Sequence, residues 1–312
     1  MSELRPPASL APESRAGLFY AIAAYGLWGF FPLYFLVLAP AGPFEIVAWR
    51  VLFSVVFCAL IILVLRRGGK IARIMRNRRT MIALGVGGVL VFVNWQVYVL
   101  AVVTERVNEA ALGYFINPIV TVLLGVVVLR EKLRIMQWIA VGISAVAVLV
   151  LGIFNGSFPW ISLALAFSFG LYGLVKKRVS GTVDALTGLA VETAWLAPIA
   201  ILQLVFVGVT TGVVFGTAGV ANTALLAAAG IVTSIPLLLF AAAARRLPLF
   251  IIGFIQYLTP TLQFLIGTFL LLEAMPFERW VGFSLVWFAL VLFSIDMALH
   301  TRSVRRALPL PG

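Results

Sequence analysis

Charge is what this chain has least of. Charged residues make up 11% of its 312 residues, where soluble domains run near a quarter, so a domain with a solvated, charged surface is excluded. Acids are scarcest, at 11 Asp and Glu against 23 Lys and Arg. There is one cysteine, Cys58, inside an apolar run, so no disulfide framework exists. The one histidine, His300, lies near the C-terminus. Neither residue has companions for a metal set, and no catalytic triad or phosphate-binding glycine loop is present; no cofactor is expected. The first 15 residues carry Glu3, Arg5, Glu13, Arg15 and three prolines. They lack the short apolar core of a cleavable signal peptide. Strict apolar–polar alternation is missing too, which excludes a membrane β-barrel.

What fills the chain instead is hydrocarbon: 63% hydrophobic residues and a mean hydropathy of +1.13. Ten apolar runs approach the roughly 20 residues needed to cross a bilayer as a helix. They fall near 18–38, 44–65, 80–103, 109–129, 135–153, 158–177, 184–207, 220–242, 248–272 and 278–299. The expected class is an all-α polytopic membrane protein whose main partner is the lipid bilayer. The net charge of +12 suggests no nucleic acid, because the basic residues sit in short links between apolar runs. With the N-terminus inside, 20 of them fall on inside segments, among them Arg66 to Arg79, Lys176 to Arg178 and Arg302 to Arg306; only Arg106 and Arg279 fall outside, and Arg50 is within a span. That asymmetry predicts both termini in the cytoplasm and an even helix count.

One stretch occurs twice. Pro118, Gly125 and Glu131 recur as Pro260, Gly267 and Glu273, each at an offset of 142. Gly26-Leu27-Trp28-Gly29 recurs as Gly170-Leu171-Tyr172-Gly173, Trp138 matches Trp280, and Tyr98 falls opposite Phe240. The chain therefore reads as a polar tail (1–16), a first unit (17–153), a second unit (158–299) and a C-terminal tail (300–312). Five spans per unit force the second to be inverted in the membrane. Such inverted repeats enclose a midplane solute site and expose it to each side in turn.

The polar residues on these spans are the site candidates. Tyr114, Asn117 and Thr121 surround Pro118; Gln256, Tyr257 and Gln263 surround Pro260. Hydrocarbon cannot satisfy an amide or hydroxyl, so these stripes face protein or a solute path. Each proline should kink its helix and free the carbonyl four residues back. Trp28, Asn94, Tyr98 and Tyr172 complete the cavity candidates, with interhelical hydrogen bonding as the competing role for Asn94. Glu192 lies well inside span 7 and is either a coupling carboxylate or half of a structural pair. Glu45 and Arg50 open span 2 as further coupling or gate candidates; five residues apart, they share a face poorly. Glu131 and Glu273 read as charges at helix ends.

Together, Gly-Tyr-Phe-Ile-Asn-Pro at 113–118, Asn94-Trp95, Ser-Phe-Gly-Leu-Tyr-Gly at 168–173 and Pro236-Leu-Leu-Leu-Phe240 resemble the EamA branch of the drug/metabolite transporter superfamily. The resemblance runs from about residue 17 to 299. It implies a ten-helix inner-membrane permease of two EamA units, with amino acids, metabolites or drugs such as chloramphenicol-like compounds as solutes. The expected activity is proton-coupled export of small amphipathic solutes. A membrane enzyme acting on a lipid-linked substrate, and a channel or scaffold, are the other readings. The enzyme would have only Glu105, Glu109, Glu273 and Glu278 in loops to work with. The sequence leaves monomer and homodimer open.

Overall fold

A computed structural model describes residues 12–129, 135–154, 158–179, 182–244, 246–247 and 255–307. Every regular element among them is helical. In order they are α1 (Pro12–Gly29), α2 (Phe31–Leu36), α3 (Pro43–Val64), α4 (Gly68–Arg76), α5 (Arg78–Val103), α6 (Val107–Leu129), α7 (Ile135–Phe154), α8 (Trp160–Val179), α9 (Ala185–Thr210), α10 (Val220–Ala244), α11 (Leu258–Leu265) and α12 (Phe277–Ala307). A π-helical turn, Ile266–Leu270, extends α11. Five helices are long and apolar enough to cross a membrane: α3, α5, α9, and the stretches Val220–Phe240 of α10 and Phe277–Asp296 of α12. Shorter apolar helices join them. Their outer faces carry bare hydrocarbon, with Leu63 73% and Val209 83% exposed. Water would not tolerate that surface and lipid would; this is a polytopic membrane protein.

Local chemistry marks the helix starts. Asn77 and Asp184 cap α5 and α9, their side-chain oxygens accepting from the N–H of Thr80 and Thr187. Pro43 opens α3 at a position where its missing N–H costs nothing. The first apolar run is not one helix. It breaks after Gly29, and α2 restarts with Pro32 in its first turn. The basic stretch 66–79, expected as a loop, contains α4. Ile71 and Ile74, one turn apart, pack with Met81 and Leu84 of α5, and this apolar contact holds the turn. Of the expected links and tails, residues 1–11, 130–134 with Glu131, 155–157, 180–181, 245, 248–254 and 308–312 lie outside the described residues.

The helices pack tightly where glycine permits it. A Cβ on Gly230 of α10 would lie 2.3 Å from the Phe53 carbonyl carbon of α3, and one on Gly88 of α5 would lie 3.0 Å from the Glu192 carbonyl oxygen of α9. Small residues matter here because lipid supplies no hydrophobic force between helices, leaving contact and hydrogen bonds to hold them. One core joins α2, α3, α5, α9 and α10, while a second, around Phe115, Phe264, Phe283 and Trp287, joins α6, α7, α11 and α12.

Polar clasps close both ends. At one end, the Glu273 carboxylate accepts from the N–H groups of Val107 and Asn108, an anion on the positive end of α6. Burial still pushes its pKa up, against those hydrogen bonds and the nearby Arg279. At the other end, Lys70 pairs with Asp184 at 2.9 Å. Burial alone would raise Asp184, but the bonds from Lys70 and Thr187 outweigh it and hold the carboxyl below its ordinary range.

Candidate functional site

Two helices carry a buried charge apiece. Arg50 lies seven residues into α3 and Glu192 seven residues into α9, about 10 Å along each axis. The start of α3 touches the loop after α9, because Glu45 binds there, so the two helices run antiparallel and the charges are entered from opposite ends of the bundle. Their numbers differ by 142, the offset of the repeat.

Glu192 is fully buried and fully engaged. Lys176 Nζ donates to its Oε1 at 2.9 Å and the Tyr172 hydroxyl to its Oε2 at 3.2 Å. Tyr172 and Lys176 are four apart on α8, so they share a face. The contact with Lys176 is an ion pair. Lys176 had counted only as a loop charge in the sequence, yet its ammonium reaches back along α8.

Arg50 is 3% exposed. Its Nε donates to the Thr233 hydroxyl at 2.6 Å. The guanidinium lies 4.2 Å from the Trp95 ring centre, with Phe35 at 5.4 Å and Phe31 at 5.5 Å. Three phenols, Tyr34, Tyr98 and Tyr114, are near enough to feel its charge. Glu45 is not its partner. That carboxylate, 1% exposed, accepts from the N–H groups of Val214 and Phe215 and from the Trp49 indole, tying α3 to the loop after α9.

The other sequence candidates divide by neighbourhood. Asn94 bridges three helices: its amide donates to the Leu165 carbonyl and Ser168 hydroxyl of α8, and its oxygen accepts from the Tyr114 hydroxyl at 3.0 Å. It thereby aims Tyr114, which sits against Tyr98 with ring centres 5.7 Å apart. Gln263 donates to the Trp28 carbonyl at 3.2 Å, and Thr259, one turn earlier, to the Tyr25 carbonyl. Trp28 itself packs with Tyr25 and Phe240. So Arg50, Tyr98, Tyr114 and Asn94 come together, with Gln263 beside Tyr98. Asn117 faces Gly170 of α8, Tyr257 packs with the α7–α12 core, and Gln256 is half-buried in the turn before α11. The Thr121 side chain lies outside the described residues. Thr233, Tyr34, Phe31 and Phe35 escaped the sequence reading. No local pattern marks them, although the 142 offset linking Arg50 to Glu192 was there to be found.

The two prolines differ. Pro118 is inside α6, as expected of a kink, whereas Pro260 is in the first turn of α11, after a turn at Gln256 and Tyr257. An interior proline removes a helix hydrogen bond; one in the first turn removes an N–H that is free anyway. Pro118→Ala should therefore raise stability by about 1 kcal/mol or more, and Pro260→Ala should change it little. Thermal unfolding in detergent checks the contrast; equal shifts would contradict it.

Among described residues no group of His, Cys, Asp and Glu could hold a metal. Known proteins place the arrangement. The model of the EamA-like transporter family matches residues 15–153. Protein RarD of Streptomyces exfoliatus is 48% identical over 295 residues, 95% of this chain and 93% of that one. The chain belongs to the EamA-like transporter family. Among other EamA-like relatives, Protein RarD of Salmonella typhi is 40% identical over 94% of this chain and 98% of its own. The uncharacterized transporter YojE of Bacillus subtilis is 39% identical over 93% and 97%. A solved crystal structure at 18% identity shares the fold, with a TM-score of 0.56 over 92% of this chain and 98% of that one. The EamA-like chain is thus a membrane transporter of the drug/metabolite type, embedded in lipid and acting on a small solute.

Proposed function

We propose that this transporter is a secondary-active permease of the cytoplasmic membrane with ten spans in two inverted five-helix units, which carries small amphipathic solutes outward by alternating access, coupled to protons. The observation that carries the reading is the packing itself. Exchange each span for the one five places on: α1 with α8, α3 with α9, α5 with α10, α6 with α11, α7 with α12. The contact of α6 with α8 becomes that of α11 with α1. Likewise α5 on α8 becomes α10 on α1, and α5 on α9 becomes α10 on α3, while α3–α9, α6–α11 and α7–α12 map onto themselves. Two interlocked halves of that kind can rock about a shared centre, and the buried groups of α3, α5, α6 and α11 gather there. Glu192, at the position matching Arg50 in the second unit, is the coupling carboxylate of this scheme; Pro118 and the break before Pro260 give each unit a place to bend.

Two measurements test it. Reporter fusions should put both termini and the Arg66–Arg79 segment in the cytoplasm, as the charge asymmetry demands; Arg73 on the outer side would refute the topology. In sealed proteoliposomes, preloaded solute should exchange across the membrane only when the protein is present, and faster with an imposed pH gradient. Solute release without saturation would indicate a channel, and chemical conversion of the solute an enzyme.

A further inference from the structure

We infer that the solute carried by this permease is a small organic anion, bound through its carboxylate to Arg50 with Tyr98 and Gln263 beside it. The inference rests on the transport reading for its consequence, but not for the site.

A guanidinium in the middle of a membrane bundle is costly unless something opposes its charge. Among the described residues, nothing does. No carboxylate forms an ion pair with Arg50, and its Nη1 has no hydrogen-bond acceptor. The two buried acids, Glu45 on α3 itself and Glu192 on α9, are committed elsewhere, Glu45 to two backbone N–H groups and an indole, Glu192 to Lys176 and Tyr172. The rings of Trp95, Phe31 and Phe35 offset part of the cost through their π faces.

Two further groups in the same place are equally unspent. The Tyr98 hydroxyl and the Gln263 Oε1 are buried, at 3% and 2% exposure, and neither makes a well-formed hydrogen bond; their closest polar neighbours are each other's side chains. Tyr98 lies next to the Gln263 amide and within electrostatic reach of Arg50. Three spans, α3, α5 and α11, therefore converge with a charged donor, a hydroxyl and an acceptor all available. Buried polar groups are almost always paired, so a solute that reached this cluster would gain hydrogen bonds the protein does not supply. A carboxylate answers the donors, since its two oxygens match the planar N–H fork of arginine and accept from a phenol. A hydroxyl or amine on the same solute answers the Gln263 oxygen. The aromatic rings then take its carbon skeleton. Such a solute is amphipathic, and a neutral compound would leave the arginine uncompensated.

The test is ligand-induced thermal stabilisation of the purified full-length protein, using lactate, phenylacetate, p-hydroxybenzoate and L-phenylalanine, each against its primary amide, with sodium phosphate and sodium chloride as inorganic arms. At least one carboxylate should stabilise the protein where its amide does not, and Arg50→Gln should weaken that binding at least about thirtyfold. Tyr98→Phe and Gln263→Leu should weaken it less while remaining folded. Without ligand, Arg50→Met should melt at the same or a higher temperature than the parent, because it removes an unopposed charge. Equal effects of carboxylates and amides, full effect from inorganic anions alone, or a sharp loss of stability in Arg50→Met would overturn the inference. Counterflow of the stabilising carboxylate in proteoliposomes separates it from the transport reading. Binding at Arg50 without counterflow refutes the permease and keeps the site; counterflow indifferent to Arg50→Gln refutes the site and keeps the permease.

Discussion

Gly230→Ala should cost the protein about 3 kcal/mol or more, the upper end of what overpacking does. The added methyl carbon would sit 2.3 Å from the Phe53 carbonyl carbon, 2.5 Å from its oxygen and 2.6 Å from the Ser54 nitrogen. All three are backbone atoms of α3, so no rotamer change relieves the clash and the two helices must separate. Separation also strains the contact between Arg50 and Thr233 three residues further along α10. Against a total stability of about 5–15 kcal/mol, most of the folded yield should disappear. Gly142→Ala is the control: nothing lies within 4 Å of its Cβ, and alanine is the better helix former by about 1 kcal/mol. Gly88→Ala should fall between, since its Cβ meets the Glu192 carbonyl oxygen at 3.0 Å. Size-exclusion profiles and melting temperatures in one detergent would show the order. Gly230→Ala behaving like Gly142→Ala would mean that α3 and α10 do not cross there.

The second large effect concerns the carboxylate of α9. Lys176→Met should destabilise by about 1–3 kcal/mol. Stripping one partner from a fully buried pair costs about 3–5 kcal/mol, and Lys176 is a third exposed, which lets water take up part of the loss. Adding Glu192→Gln should restore most of it, because the remaining amide is neutral and can still accept from Tyr172. Glu192→Gln alone should be mild, as the lysine can extend toward the membrane edge. A double-mutant cycle on melting temperature reads the coupling. Transport by Glu192→Gln gives the functional half. If Glu192 carries the coupled proton, the variant should fold and transport at a rate that no longer varies with pH. An unchanged pH profile would leave Glu192 as half of a structural pair and nothing more.

The class of this protein and the helicity of its apolar runs were legible in the sequence for one reason: each depends on information a single stretch carries. An apolar run must satisfy its own backbone in lipid, so it becomes a helix wherever it is folded. A repeat is visible in the letters, as Pro118 and Pro260 are. Even so, the break after Gly29 and the start of α11 near Pro260 divide apolar runs that hydropathy shows as continuous, because hydropathy does not register where backbone bonding restarts.

The surroundings of the buried charges were beyond the reach of any single stretch. Glu45 and Arg50 are five residues apart, and their spacing could warn only that they do not pair. That Glu45 ends on the N–H groups of Val214 and Phe215, while Arg50 meets Thr233 and the face of Trp95, follows from how α3 crosses α9, α10 and α5. Asn94 likewise spends both ends of its amide on α8 and α6, a choice set by the rotation of α5 and not by its composition. Sequence alone determined which polar groups enter the membrane, because hydropathy is additive along the chain. Only the tertiary structure decided which of them are spent on one another and which, like Nη1 of Arg50, find no acceptor among the described residues, because hydrogen bonds between helices depend on crossing angles and rotations that no local rule fixes.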